Sequence, residues 1–125
     1  MKGKKILVID DDPDIINYFK KFFTTREVQL FNCSTLLECV ENFDEYKPDL
    51  ILLDLKLEFE SGVDFLKYRE SLPSLMDTPV IVISSHTNED LVKECIEHGI
   101  KDFIKKPFIS FEQIEERVNK ILIAR

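Results

Sequence analysis

Apolar and polar residues along this chain come in blocks that change period. Residues 6–9 (ILVI), 50–53 (LILL) and 80–83 (VIVI) are continuous apolar runs, too short for helices and rich in branched side chains. Each predicts a strand buried on both faces. Residues 28–31 (VQLF) and 103–104 (FI) predict two weaker strands. Between the runs the apolar period lengthens to that of a helix. Ile15, Ile16, Phe19, Phe22 and Phe23 follow Pro13, which suits a first helical turn, with Lys20 and Lys21 pointing outward. Ser34 is the expected N-cap of a helix carrying Leu36, Leu37, Val40 and Phe43, with Glu38 and Glu41 on its wet face. A third helix is expected over 62–72, with Val63, Leu66 and Leu72 inward. Asn88 is the expected N-cap of a fourth, bearing Leu91, Val92, Cys95 and Ile96 and closed by Gly99. Ser110 and Gln113 form a capping box for the last, which carries Ile114, Val118, Ile121 and Leu122.

Strict alternation of strand and helix, five times over, predicts an α/β fold: a parallel sheet with helices on both faces. Right-handed crossovers make it a doubly wound (βα)5 three-layer sandwich. No linker or internal repeat divides the 125 residues, so one domain over 1–125 is expected.

Charge narrows the classes of partner. The formal net charge is −7, and an acidic surface repels nucleic-acid backbones and anionic lipids. Direct nucleic-acid or membrane binding is therefore not expected. The three cysteines (Cys33, Cys39, Cys95) have no C-x-x-C spacing, which argues against a disulfide framework or zinc site and for free thiols in a reducing, cytoplasmic setting. The basic start, Met1 to Lys5, precedes only four apolar residues before three aspartates, too few for a signal or membrane segment.

Chemistry collects where open parallel sheets bind ligands, beyond the carboxyl ends of the strands. Asp10, Asp11 and Asp12 follow strand one, Asp54 strand three, Ser84 and Ser85 strand four, Lys105 and Lys106 strand five. Taken singly, each is an ordinary strand-end or cap residue. Four strands delivering such groups to one edge is the informative pattern. Two carboxylates about 4 Å apart repel by roughly 4 kcal/mol at an effective dielectric of 20, so one protonates or a hard cation sits between them. Carboxylate oxygens with retained water suit Mg²⁺. Metal, carboxylate nucleophile, hydroxyl and lysine together suit phosphoryl transfer to an aspartate.

These residues, and the segments KILVIDDDP, PDLILLDLKLEFESG, TPVIVISS and HGIKDFIKKPF, resemble the receiver domain of two-component response regulators over essentially the whole chain. The spacings agree: 30 residues from Asp54 to Ser84 and 22 more to Lys106. The resemblance implies a flavodoxin-like sheet of order 2-1-3-4-5. It implies that Asp54 is the phosphoacceptor, and that Asp10, Asp11, Asp54 and the backbone carbonyl of Lys56 hold Mg²⁺. Ser84 and Lys106 would then bind the phosphoryl group, with Lys105 pointing away. The peptide bond between Lys106 and Pro107 is commonly cis in the family. Phe103 resembles the aromatic switch residue, with plain strand packing as its other reading. Asp12 matches a position often acidic or polar and is not an expected ligand. Glu58 stands where the family usually has Pro, Ser61 where it has an acidic or amide residue, and Ile100 where it has Ala. Lys56 and His86 occupy positions that tune dephosphorylation by water.

The implied partners are a sensor histidine kinase or histidine phosphotransferase, and a downstream effector protein or an effector domain outside this chain. The chain would be a switch that promotes its own phosphorylation and dephosphorylation rather than a conventional turnover enzyme. Met1 at the start and Arg125 soon after the last helix favour a stand-alone relay; a receiver cut from a longer regulator is the alternative. Whether copies pair through the helix after strand four, strand five and the last helix stays open. Two rivals come from other classes. A haloacid-dehalogenase-type Mg²⁺-dependent phosphatase needs a second Asp two residues after the nucleophile, where Lys56 stands. A flavodoxin-like electron carrier needs a hydroxyl- and glycine-rich phosphate loop after strand one, where three aspartates would repel the FMN phosphate.

Overall fold

The computed structural model describes residues 1–57, 61–85, 87–107 and 110–123. Glu58 and His86 lie outside them. Five strands, β1 (Lys5–Ile9), β2 (Gln29–Cys33), β3 (Leu50–Leu53), β4 (Val80–Ser84) and β5 (Asp102–Lys105), form one parallel sheet in the order β2-β1-β3-β4-β5. The expected fold and strand order hold.

The continuous apolar strands are explained by two cores. Side chains alternate across a strand, so Ile6, Val8, Leu50, Leu52, Ile81 and Ile83 enter one core while Leu7, Ile9, Ile51, Leu53, Val80 and Val82 enter the other. Helices α1 (Pro13–Thr24) and α6 (Phe111–Ile123) cover the first face through Phe19, Phe23, Ile114 and Val118. Helices α2 (Leu36–Tyr46), α3 (Gly62–Arg69), α4 (Pro73–Met76) and α5 (Glu89–Glu97) cover the second through Phe43, Phe65, Leu66, Leu75 and Cys95. The three cysteines are free and buried.

Local signals mostly hold. Pro13 opens α1, Asn88 Oδ1 accepts the Leu91 N–H at 2.8 Å, Ser110 Oγ accepts the Gln113 N–H at 3.3 Å, and Gly99 has φ +82°. Four readings need correction. Thr35, not Ser34, caps α2, because its hydroxyl is the one that accepts the Glu38 N–H at 3.1 Å. Leu37 and Ile96 do not pack inward; they are 65% and 60% exposed. The second strand begins at Gln29, because the Val28 N–H is taken by Phe23 O at the end of α1. The expected 62–72 helix stops at Arg69: Pro73 crowds the residue before it, Leu72 is extended (φ −122°, ψ 110°), and the short α4 starts anew.

Candidate functional site

The ladder of the sheet runs one residue past β1, β3 and β5 and so fixes the polar residues that follow them. Asp10 donates its N–H to Cys33 O (3.2 Å), Asp54 to Ile9 O (2.9 Å) and Lys106 to Ser84 O (2.9 Å). The three are aligned by backbone bonds before their side chains interact. Asp10, Asp11 and Asp54 then present carboxylate oxygens that all lie within 4.8 Å of one another. Lys106 Nζ reaches 3.3 Å from both Asp10 Oδ2 and Asp54 Oδ2.

Asp10 is buried, and Ser84 is completely so. Burial, the largest influence, raises the Asp10 carboxyl above its ordinary range, helped by the nearby Asp54 charge and opposed by the Asp12 N–H and Lys106. For Lys106, burial alone would lower the ammonium. Attraction to Asp10 and Asp54, with their hydrogen bonds, together outweighs it and holds the group raised, hence charged. Among the described residues, Lys106 is the ammonium paired with Asp10 and Asp54, and the three carboxylates still face one another. At 4.8 Å each carboxylate pair repels by roughly 3–4 kcal/mol at an effective dielectric of 20. The donor set, all hard carboxylate oxygen, fits a small divalent cation.

The neighbouring residues divide into those aimed at the cluster and those that shape it. Asp12 caps α1, accepting the Asp14 N–H at 2.9 Å, and is not a member of the cluster. The exposed Lys56 donates its N–H to Asp54 Oδ1 (3.2 Å) and pairs across to Ser61 in an isolated bridge. Lys105 is exposed, and the Lys106–Pro107 peptide is cis. Phe103 is half-buried against the core on the α2–α5 face. An open cavity of about 380 Å³, lined by Ile15, Ser85, Lys106 and Pro107, leads to the lysine.

Sequence reasoning missed one residue that shapes the site. Gly62 donates its N–H to Leu55 O at 2.8 Å, and a Cβ there would stand 2.6 Å from Asp54 O and 2.9 Å from Leu55 Cα. Only glycine lets the start of α3 lie against the turn that presents Asp54. An isolated glycine eight residues beyond the strand-end aspartate was the available signal.

Comparison with known proteins agrees with this geometry. Residues 6–119 match the family model described as Response regulator receiver domain. KdpE, a transcriptional regulatory protein of Mycobacterium tuberculosis, is 34% identical over 82% of this chain, but the match spans only 44% of KdpE. The chemotaxis protein CheY of Thermotoga maritima is 31% identical over 95% of this chain and 98% of its own length. Among solved structures, the receiver domain of a sensor histidine kinase from Pseudomonas aeruginosa, with a magnesium ion coordinated in its active site cleft, superposes with a TM-score of 0.84. That likeness, at 17% identity over 96% of this chain and 98% of the other, concerns the fold. The phosphatase alternative gains no support. With five strands in receiver order, an acidic cluster at their carboxyl edge and a family match over nearly its full length, the chain belongs to the response regulator receiver domains, the phosphoacceptor switches of two-component signalling.

Proposed function

We propose that Asp54 is the phosphoacceptor of this receiver and that Mg²⁺ is held by Asp10, Asp11, Asp54 and the Lys56 carbonyl. The observation that carries the reading is the carboxylate cluster within 4.8 Å, with Lys106 Nζ at 3.3 Å from two of its members. A bound Mg²⁺ supplies positive charge to the phosphoryl oxygens and so lowers the barrier to attack by a carboxylate. Asp54 forms the new P–O bond through a carboxylate oxygen as the donor's P–N bond (phosphohistidine) or P–O bond (acetyl phosphate) breaks. The leaving imidazole or acetate departs toward solvent.

Lys106 exchanges its contact with Asp54 for one with a phosphoryl oxygen, which costs little because its ammonium is already charged and placed. The Ser84 hydroxyl donates to another phosphoryl oxygen. Movement at Ser84 opens space into which Phe103 turns, and this shifts a pre-existing equilibrium on the face of α5, β5 and α6. The donor is a sensor histidine kinase or histidine phosphotransferase, reached through the opening beside Ile15 and Lys106. The receiver of signal is a cytoplasmic effector protein or an effector domain outside residues 1–125, contacted or dimerised through the α5–β5–α6 face. The acidic surface argues against direct nucleic-acid binding by this domain. The chain turns over no separate substrate; it catalyses its own modification.

The test is intact-protein mass spectrometry after incubation with acetyl phosphate and Mg²⁺. The natural chain should gain one acid-labile phosphoryl group, and both EDTA and Asp54→Asn should abolish it. Full labelling of Asp54→Asn would overturn the assignment.

A further inference from the structure

Away from the phosphorylation edge, α2 and α3 leave an apolar groove between them. It has a volume of about 330 Å³ and is lined by Leu37, Val40, Phe65 and Tyr68, with Asp64 in its wall. Leu37 is 65% exposed and Tyr68 46%. Neither is needed to fix its helix, since α2 is anchored by Cys39 and Phe43, and α3 by Val63, Phe65 and Leu66. Scattered apolar residues are ordinary on a surface; apolar residues that line a common groove mark an interaction site.

Charge specifies the occupant. Helix α2 carries Glu38, Glu41, Asp44 and Glu45 and no basic residue. Glu41 follows Leu37, and Asp44 follows Val40, at the four-residue spacing that places them next on the same face. Glu41, Asp44 and Asp64 have no cationic partner among the described residues. The two bases of α3 are committed elsewhere: Lys67 pairs with Glu94 at 3.6 Å, and Arg69 is buried, donating to backbone carbonyls. A second copy of this chain, with a net charge of −7, would meet its own sign across the contact.

We infer that the α2–α3 groove is a docking site for a basic amphipathic helix of a partner protein. Its aliphatic residues at i, i+3 or i+4, and i+7 would fill the groove between Leu37 and Tyr68, and its lysines or arginines would face Glu41, Asp44 and Asp64. This surface is separate from the phosphorylation site and from the α5–β5–α6 face, so its partner can be held in either state of the switch.

The probe is a short fluorescein-labelled peptide of leucine and lysine patterned as such a helix, titrated against the full chain by fluorescence anisotropy. A peptide of the same composition in scrambled order is the control. Patterned peptide should bind about tenfold tighter than scrambled, and Leu37→Asp and Asp64→Lys should each weaken it by about tenfold. Amide shifts in ¹⁵N spectra should centre on Leu37, Val40, Asp64 and Tyr68. Circular dichroism melts verify that each variant is folded, and Asp64→Lys, an exposed change, serves if Leu37→Asp does not fold. Equal binding of the scrambled peptide, unchanged binding by the folded variants, or shifts centred elsewhere would overturn the proposal. So would sedimentation showing that the chain self-associates through this groove and that Leu37→Asp abolishes it.

Discussion

Two clusters of buried and half-buried charge in this molecule solve the same problem in opposite ways. At the carboxyl edge of the sheet, Asp10, Asp11 and Asp54 bring three carboxylates together, and among the described residues Lys106 Nζ is the ammonium paired with Asp10 and Asp54. At the end of α3, Arg69 is more deeply buried than Asp11, Asp54 or Lys106 but has no carboxylate partner among the described residues. Its guanidinium donates to His98 O (3.0 Å), Met76 O (3.3 Å) and Thr78 O (3.3 Å). Burial lowers its pKa, with the Glu70 charge opposing. Three carbonyl dipoles, two at the end of α4 and one at the end of α5, take the place of a counter-ion, and only Nε lacks a partner among the described residues. Nearby, His98 Nδ1 pairs with Glu70 Oε1. The Arg69 charge is held by backbone carbonyls, with Nε as its one unpaired donor among the described residues. The carboxylate cluster gathers like charges, whose repulsion a cation would relieve. Buried charge marks a functional site where its compensation is incomplete.

That contrast can be broken experimentally, beginning with the largest effect. Arg69→Met should destabilise the fold by about 3 kcal/mol in urea unfolding, because buried carbonyls at the ends of α4 and α5 lose their donors. Loss of under about 1 kcal/mol would mean that water or repacking satisfies them and that Arg69 is no clamp. Folded Arg69→Met should still accept phosphoryl from acetyl phosphate. Gly62→Ala should cost about 2 kcal/mol, since its Cβ meets backbone at Asp54 and Leu55. It should also slow phosphorylation, which Arg69→Met should not. Mg²⁺ at about 10 times its Kd should add about 1.4 kcal/mol to the natural chain, and Asp10→Asn should lose most of this.

Smallest of all, Asp10→Asn in EDTA should raise the melting temperature slightly at neutral pH. Burial raises the Asp10 carboxyl in the folded state, so the folded chain binds more protons than the unfolded one between the two pKa values. Stability of the metal-free protein therefore falls as pH rises through that window, and the penalty is complete above it. An amide at this position does not titrate, so the substitution removes the fall. A lower melting temperature for Asp10→Asn in EDTA would show that attraction between Asp10 and Lys106 outweighs the cost of burial.

The two clusters also differ in how far sequence reveals them. The placement of Asp10, Asp54 and Ser84 at one edge was legible because each directly follows an apolar run, with Lys106 one residue further past its own, and a parallel ladder brings such ends together. That Asp12 is not a ligand was expected from the family resemblance, and its role as the cap of α1 came from the structure. Arg69 was not: in sequence it is one charge on an amphipathic helix, and its partners lie at His98, Met76 and Thr78 in other segments. Leu37 misled in the opposite sense. Its period fits an inward face, but Cys39 and Phe43 already fill the space beneath α2.

By itself, then, the sequence determined the alternation of strands and helices, most of the caps and which polar residues stand at the strand ends, because these depend on neighbours within a few residues. The sheet order came from family resemblance and was borne out by the strand pairing. Only tertiary structure decided that Lys106 stands midway between Asp10 and Asp54, that Gly62 must lack a side chain, and which apolar residues stay in water. Those depend on distances between segments far apart in the chain, and no local period encodes them.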